Sequence, residues 1–179
     1  MTQGIPKRNN GKGLLSRFLL ILVLLAGLVS CSGEEPRKAS GFELETLEGE
    51  SRALHDRDAD VLLVNFWASW CAPCRQEMPQ LDALYREYRD RGFAVWGVNV
   101  DTLPENAREF AGEVEVSYPL LLDNDMAVAE DWGVQAMPST FIVDTAGDIR
   151  HTKLGYDADA MGALEDRIRE LLAEGGDNG

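Results

Sequence analysis

The sequence is poor in cysteine, histidine and basic residues, and each shortage excludes a class of protein. Its 179 residues include three cysteines and two histidines. Three cysteines are too few for the disulfide framework of a cysteine-stapled secreted domain, and two histidines leave few ligands for a structural zinc site. Lysine and arginine number 17 against 31 acidic residues, which gives a net charge of −14. This acidity argues against nucleic acids and anionic lipid surfaces as partners.

The apolar run near the N-terminus, from Phe18 to Val29, is too short to span a bilayer. A spanning helix needs about 20 apolar residues. Residues 1–30 contain four basic residues, all before the apolar run, and no acidic one. Positive charge followed by a short apolar run is typical of a secretory signal. We therefore predict a signal peptide over residues 1–30 and a domain outside the cytoplasm.

The four residues Leu28-Val29-Ser30-Cys31 resemble the lipobox of bacterial lipoproteins, in which the signal is cut before the cysteine and the thiol is lipid-modified. This resemblance implies lipidation at Cys31 and a mature N-terminus at that residue. The composition of residues 31–40 predicts a lipid-anchored tether with few core-forming side chains. A plain signal peptide or an uncleaved signal anchor, with Cys31 incidental, remains open.

After the tether, the apolar patterning predicts one α/β domain over residues 41–175, followed by a flexible tail at 176–179. Val61–Trp67 and Phe93–Val100 are apolar and β-rich, as is typical of strands covered on both faces. Strands that alternate with helices predict a mixed sheet flanked by helices. The predicted elements are a hairpin within 42–54, strands at 61–67, 93–100 and 119–122, helices at 72–91, 104–111, 125–132 and 157–173, and a second hairpin of 139–144 with 149–154.

The motif WCAPC at residues 70–74 lies between a predicted strand and a predicted helix, so Cys71 is expected at the helix N-terminus. Unpaired amides and the helix dipole favour a thiolate there. Cys71 can then attack a disulfide, and Cys74, one turn further on, can resolve the mixed disulfide. Half of a structural zinc site is the alternative, and only His55 and His151 could complete it. We predict a redox-active pair without a metal.

Two segments, FWASWCAPC at residues 66–74 and VQAMPSTFIVD at 134–144, resemble the two motifs of the thioredoxin superfamily. Within it the chain is most similar to the TlpA/ResA/DsbE-like group of membrane-tethered envelope oxidoreductases, judged by the leader, the extra segment 104–122 and CRQE at 74–77. The resemblance implies a thioredoxin fold with an N-terminal β-hairpin and a central insertion. It also implies a cis peptide bond before Pro138, and a backbone at Met137 that pairs with substrate.

The residue Asn65 stands where thioredoxin carries a buried Asp that assists proton transfer to the resolving cysteine, and an amide cannot titrate. Helical spacing places Glu77 within an apolar arc of the predicted helix, and the TlpA-like group carries an acid at this offset. We therefore predict that Glu77 passes protons to and from Cys74. A carboxylate at the helix edge, with its head in water, is the alternative. Trp70 is predicted to shield the dithiol and touch the substrate.

The resemblance implies a thiol-disulfide oxidoreductase that needs no cofactor and reduces disulfides in exported proteins, of the cytochrome c or copper-site maturation type. It implies a membrane thiol reductase as electron donor and a lipid-anchored position on the periplasmic side of the envelope. A disulfide-introducing oxidant would use the same dithiol. Strong oxidants of the DsbA type, however, have His directly before the second cysteine, where this chain has Pro73. A Cu(I)-binding chaperone, with the ion between the two thiolates, is the alternative from a different class.

Overall fold

The computed structural model describes Met1 and residues 37–176. The predicted signal peptide apart from Met1, the lipidation site Cys31 and most of the predicted tether lie outside the described residues, as do residues 177–179. Residues 37–176 fall within one compact unit. In this part of the chain no helix is both long and apolar enough to cross a membrane.

The described chain carries two sheets and four α-helices, and the larger sheet is mixed. The strands are β1 (Glu43–Glu45), β2 (Ser51–Ala53), β3 (Val61–Trp67), β4 (Phe93–Asn99), β5 (Leu120–Leu122), β6 (Ser139–Val143) and β7 (Ile149–Leu154). The helices are α1 (Ala72–Tyr88), α2 (Pro104–Val114), α3 (Ala127–Asp131) and α4 (Met161–Gly176), and short 3-10 turns cover Leu54–Asp56 and Arg89–Arg91.

The larger sheet has the strand order β5-β4-β3-β6-β7. Strands β3, β4 and β5 run parallel, whereas β6 is antiparallel to β3 and β7 antiparallel to β6. All seven residues of β3 are buried, as its unbroken apolar sequence predicts for a central strand. Strands β1 and β2 form the separate antiparallel hairpin. The mixed sheet and the N-terminal hairpin confirm the predicted thioredoxin-like fold.

The insertion predicted at residues 104–122 consists of α2 and β5, and it packs against the end of the central strand. The Phe110 ring of α2 lies 5.1 Å from the Trp67 ring, centroid to centroid. Beyond it, the buried Trp132 makes edge-on contacts with Phe42 and Phe141 at 5.9 and 5.2 Å. These rings fix the segment that leads from β5 to the start of β6.

Helix α4 begins at Met161, four residues later than predicted. The Oδ1 atom of Asp157 accepts a hydrogen bond from the backbone N–H of Asp159 at 3.0 Å, and its carbonyl accepts one from Ala160 at 3.2 Å. An aspartate that bonds its own local backbone stabilises a turn in competition with the helix. The first residues of the predicted helix therefore form a turn.

The hairpin of β6 and β7 is closed by Asp144, whose carboxylate accepts hydrogen bonds from Arg150 and from the backbone N–H of Asp148, both at 2.9 Å. Burial alone would raise the pKa of Asp144. The hydrogen bonds from Arg150 and Asp148 outweigh burial and hold the pKa below its ordinary value. The turn is thus stabilised by an ionised carboxylate.

Candidate active site

The two cysteines of the predicted redox pair form a disulfide at the N-terminus of α1. Cys71 is the N-cap residue of the helix, and the backbone N–H of Cys74 points at its sulfur, 3.2 Å away. Pro73 occupies the first turn, where no backbone donor is needed. When the disulfide is reduced, this N–H and the helix dipole both favour a thiolate at Cys71.

The resolving cysteine is the more deeply buried of the two, since Cys74 is fully buried and Cys71 retains 4% exposure. Trp70, immediately before the pair, is 70% exposed. The attacking cysteine therefore directly follows a residue with a large exposed indole ring, and the resolving cysteine lies in the interior.

A buried aspartate ties together the loops that follow the parallel strands. The Asp101 carboxylate accepts hydrogen bonds from the backbone N–H and the hydroxyl of Ser69, at 2.9 and 3.0 Å. Asn99 donates to the same carboxylate at 2.8 Å, and Asn124 donates to the Asp101 carbonyl at 2.6 Å. The loops after β3, β4 and β5 are thereby joined at the edge of the sheet that holds the dithiol.

Exposed apolar side chains concentrate on these joined loops. Four large apolar side chains are exposed among residues 37–176, and three of them follow β3, β4 and β5: Trp70 at 70%, Leu103 at 51% and Met126 at 41%. Met126 adopts a left-handed backbone conformation with φ of 62°, which is costly for a residue other than glycine. Exposed apolar groups at one edge of a fold are typical of a contact surface.

The peptide bond between Met137 and Pro138 is cis, the geometry that the resemblance implies. Strand β6 starts directly after it, and Ser139 pairs with Phe66 of β3. Pro138 therefore precedes β6 at the same level at which β3 ends and the loop to Cys71 begins. The register of two neighbouring strands brings the two motifs together.

The carboxylate of Glu77 is fully buried, so the alternative of a side chain that reaches water is wrong. Its Oε2 atom accepts a hydrogen bond from Asn65 Nδ2 at 3.0 Å, and its Oε1 atom accepts one from Lys153 Nζ. Asn65 also donates to the Thr140 hydroxyl at 3.1 Å. Glu77 thus has one neutral and one charged donor, one turn along α1 from Cys74.

The two partners of Glu77 belong to a polar row across the sheet, which we define as Asn65, Thr140 and Lys153. Asn65 of β3 is paired with Thr140 of β6, and Thr140 is paired with Lys153 of β7. Directly paired residues point to the same face of a sheet. Sequence reasoning missed Lys153, because its nearness to Glu77 depends on the register of three strands. A lysine in a half-buried strand was the available signal, but it did not indicate which residue it would meet.

The zinc alternative finds no support in the described part of the chain. Residues 37–176 contain no cluster of three or more histidine, cysteine, aspartate or glutamate side chains that could hold a metal ion. His55 is 78% exposed and pairs with Asp56. Burial lowers the pKa of His151, and Arg167 and Lys153 lower it further.

A helix-capping disulfide beside a cis proline, on a mixed sheet of this order, defines a thioredoxin-like protein. The profile of the AhpC/TSA family matches residues 36–152, and the chain belongs to this family.

Among characterised relatives, the chain is 38% identical to the thioredoxin-like protein YneN of Bacillus subtilis over 125 residues, which cover 68% of this chain and 72% of that protein. It is 32% identical to the thiol-disulfide oxidoreductase ResA of Geobacillus thermodenitrificans over 147 residues, 76% of this chain and 84% of that one. Among solved structures, the chain resembles a protein from Chlorobium tepidum described as thiol:disulfide interchange protein DsbE, with a TM-score of 0.74 and 31% sequence identity. The superposition covers 78% of this chain and 98% of that protein's chain. The protein is a thiol-disulfide oxidoreductase of the ResA/DsbE type with Cys71 and Cys74 as its pair.

Proposed function

We propose that this enzyme reduces disulfides in exported proteins, with Cys71 as the attacking and Cys74 as the resolving residue. The observation that carries the proposal is the position of the two cysteines on α1: Cys71 caps the helix N-terminus directly after the exposed Trp70, whereas Cys74 is fully buried one turn further on. The helix N-terminus favours a thiolate at the capping residue. Cys74 can reach the mixed disulfide because it lies one helical turn away.

Glu77 is the proposed proton carrier for Cys74. A thiol must lose its proton before its sulfur can attack, and a buried thiol has little access to water. Glu77 is buried on the same helix face, one turn from Cys74, with both carboxylate oxygens already hydrogen-bonded. This fixes the carboxylate in place while it exchanges the proton.

Client recognition is proposed at Trp70, Met137 and Pro138. The cis bond before Pro138 precedes β6 beside the dithiol loop, where an extended client segment can pair with the Met137 backbone. Such pairing uses hydrogen bonds to the client backbone and therefore needs no particular client sequence. The exposed ring of Trp70 supplies apolar contact area next to the attacking sulfur.

The residues between the two cysteines, Ala72 and Pro73, support reduction over oxidation. Strong oxidants of the DsbA type have histidine directly before the second cysteine, and this chain has proline there. The leader and Cys31 support a lipid-anchored position on the periplasmic side of the envelope, where a membrane thiol reductase would supply electrons. Clients of the cytochrome c or copper-site maturation type follow from the ResA/DsbE-like relationship. The names ResA and DsbE support this proposal by analogy.

The test is the reduction potential of the full chain, measured by equilibration with glutathione and dithiothreitol buffers while tryptophan fluorescence is followed. A potential near or below about −250 mV, at the thioredoxin end of the known range, supports a reductant. A potential near about −120 mV would make the protein an oxidant. Absence of a reversible two-electron transition would contradict both directions. A Cys74→Ser variant should accumulate a mixed disulfide with an exported client, and Cys71→Ser should not.

A further inference from the structure

We infer that Lys153 is a positioning residue for disulfide exchange: its ammonium group keeps the Glu77 carboxylate ionised, and therefore able to take the proton of Cys74. This inference deepens the proposed function and rests on the proposed role of Glu77. No sequence motif indicates it, because Lys153 lies 76 residues from Glu77 in the chain.

The ion pair between Lys153 and Glu77 is largely buried. The Lys153 side chain is 10% exposed and that of Glu77 is not exposed at all. A buried carboxylate remains charged only when it is both paired with a cation and hydrogen-bonded. Asn65 supplies a hydrogen bond to Oε2 at 3.0 Å but no charge. The positive charge comes from Lys153.

The other groups around Glu77 do not replace that charge. On the sheet, Asn65 and Thr140 are neutral. In the segment before β5, the buried phenol of Tyr118 lies within electrostatic range of Glu77. Burial raises the pKa of Tyr118 well above its ordinary value, and the charges of Asp82 and Glu77 raise it further, so the phenol stays neutral. The carboxylate of Asp82 is engaged by Arg86 at 2.7 Å.

The same ammonium group connects the acid to the cis-proline loop. Lys153 Nζ donates a second hydrogen bond, to the carbonyl of Gly155 at 2.7 Å. The backbone N–H of Gly155 in turn donates to the carbonyl of Pro138, also at 2.7 Å. Lys153 therefore lies between the proposed proton carrier and the proposed client-binding loop, and two acceptors fix its position.

In the reducing direction, the Cys71 thiolate attacks a client disulfide, and the first client sulfur leaves as a thiolate. Cys74 then gives its proton to Glu77, and its sulfur attacks Cys71. The bond between the two cysteines forms, and the second client sulfur leaves as a thiolate. The client has gained two electrons and the enzyme pair has lost two. The proton passes from Glu77 to a client thiolate, which restores the carboxylate.

Removal of the lysine charge should slow the attack by Cys74 and leave the attack by Cys71 intact. Without a cation the buried carboxylate holds a proton at neutral pH and cannot accept another. Attack by Cys71 depends on the helix N-terminus and does not involve Glu77. The inference therefore predicts a defect confined to the attack by Cys74.

The experiment is a single turnover of the reduced full chain with 4,4′-dithiodipyridine, a neutral aromatic disulfide, from about pH 5 to about pH 9. The first equivalent of thiopyridone reports attack by Cys71, and the second reports attack by Cys74. In Lys153→Met we expect a second phase about tenfold slower near pH 7, with its pH profile moved upward by about one unit. The first phase should be unchanged. Lys153→Arg, which keeps the charge, should retain most of the second-phase rate.

Three further variants isolate the charge from structural effects. Lys153→Gln keeps a hydrogen-bond donor but not the charge, disturbs the fold least and should shift the profile as Lys153→Met does. Lys38→Met removes an equal charge from an exposed lysine that pairs with Asp148, and it should behave as wild type. In a Glu77→Gln background, Lys153→Met should cause no further shift. Because Lys153 also lowers the pKa of His151, a shift that acted through His151 would persist in this background, whereas a shift that acts through Glu77 would not.

The results separate the inference from the proposed function. A wild-type chain that fails to release two equivalents would contradict the proposed function itself. Two equivalents from the wild type, with a second phase in Lys153→Gln that coincides with it at every pH, would overturn the inference alone. A shift that persists undiminished in the Glu77→Gln background would also overturn it, because Lys153 would then act through some other group.

Discussion

The substitution Asn65→Asp tests how much negative charge the interior of the fold can hold. Asn65 is fully buried, and its Nδ2 atom lies 3.0 Å from Glu77 Oε2. The variant replaces that donor with a carboxylate oxygen and places two acids side by side with one cation, Lys153. Two unit charges about 4 Å apart repel by about 4 kcal/mol at an effective dielectric constant of about 20. Two ionised carboxylates are therefore unstable at this position.

The repulsion appears as a pH dependence of stability. The folded variant keeps a proton that the unfolded chain releases above the ordinary Asp pKa of about 3.9. Below that pH both states hold the proton, and the substitution has little effect on the free energy of unfolding. Above it, stability falls by about 1.4 kcal/mol per pH unit. The loss reaches its limit of about 4 kcal/mol near pH 7, where the pair ionises in the folded state as well.

Urea unfolding of the full chain at about pH 4 and about pH 7.5 measures both limits. We expect Asn65→Asp to match wild type within about 1 kcal/mol at the lower pH and to lie about 4 kcal/mol below it at the higher. Asn65→Leu breaks the same hydrogen bonds without adding charge, so its deficit should change much less between the two pH values than that of Asn65→Asp. If the deficit of Asn65→Asp changes with pH no more than that of Asn65→Leu, the reasoning about added charge is refuted and only lost hydrogen bonding remains.

Two further predictions concern the hairpin turn and the exposed apolar loops. The pKa of Asp144 is lowered in the folded state. Its contribution to the free energy of unfolding is therefore fully present above the ordinary Asp pKa of about 3.9 and is lost as the pH falls through the lower pKa of the folded state. Asp144→Asn should cost about 1 kcal/mol at pH 7 by urea unfolding and clearly less at about pH 2, and an equal loss at both would contradict this. The double variant Leu103→Ser and Met126→Ser should slow reduction of a peptide disulfide flanked by leucine about threefold to tenfold, since each side chain loses apolar contact with the client. Reduction of glutathione disulfide should not change, and a parallel loss with both substrates would show that the loops do not contact the client.

Much of the fold follows from local patterns in the sequence. The unbroken apolar run at Val61–Trp67 predicts a strand buried on both faces, and β3 has these bounds. Helical periodicity places Glu77 among apolar neighbours of α1, and the carboxylate is fully buried. Both patterns repeat within a few residues, so no knowledge of distant contacts is needed.

The features that sequence reasoning missed depend on long-range geometry. Lys153 meets Glu77 only because β7 pairs with β6 and β6 with β3 in one particular register. A shift of one residue would turn the lysine to the opposite face of the sheet. Likewise, Asp101 joins three loops that are adjacent in space but separated in sequence by the whole of α1 and α2. Local periodicity carries no information about either arrangement.

The polar row also explains why an amide occupies the position at which thioredoxin carries an acid. The site holds one buried cation, Lys153, and one buried carboxylate, Glu77, so it is electrically balanced. A second carboxylate on β3 would leave a buried negative charge without a partner. Asn65 instead gives its amide hydrogens to Glu77 and Thr140, and its Oδ1 atom accepts no hydrogen bond from the described residues. Two acceptors therefore fix the direction of the amide, which serves as a neutral donor to the second oxygen of Glu77. The acid stands on the helix and not on the strand, and the amide and the lysine are its two hydrogen-bond donors.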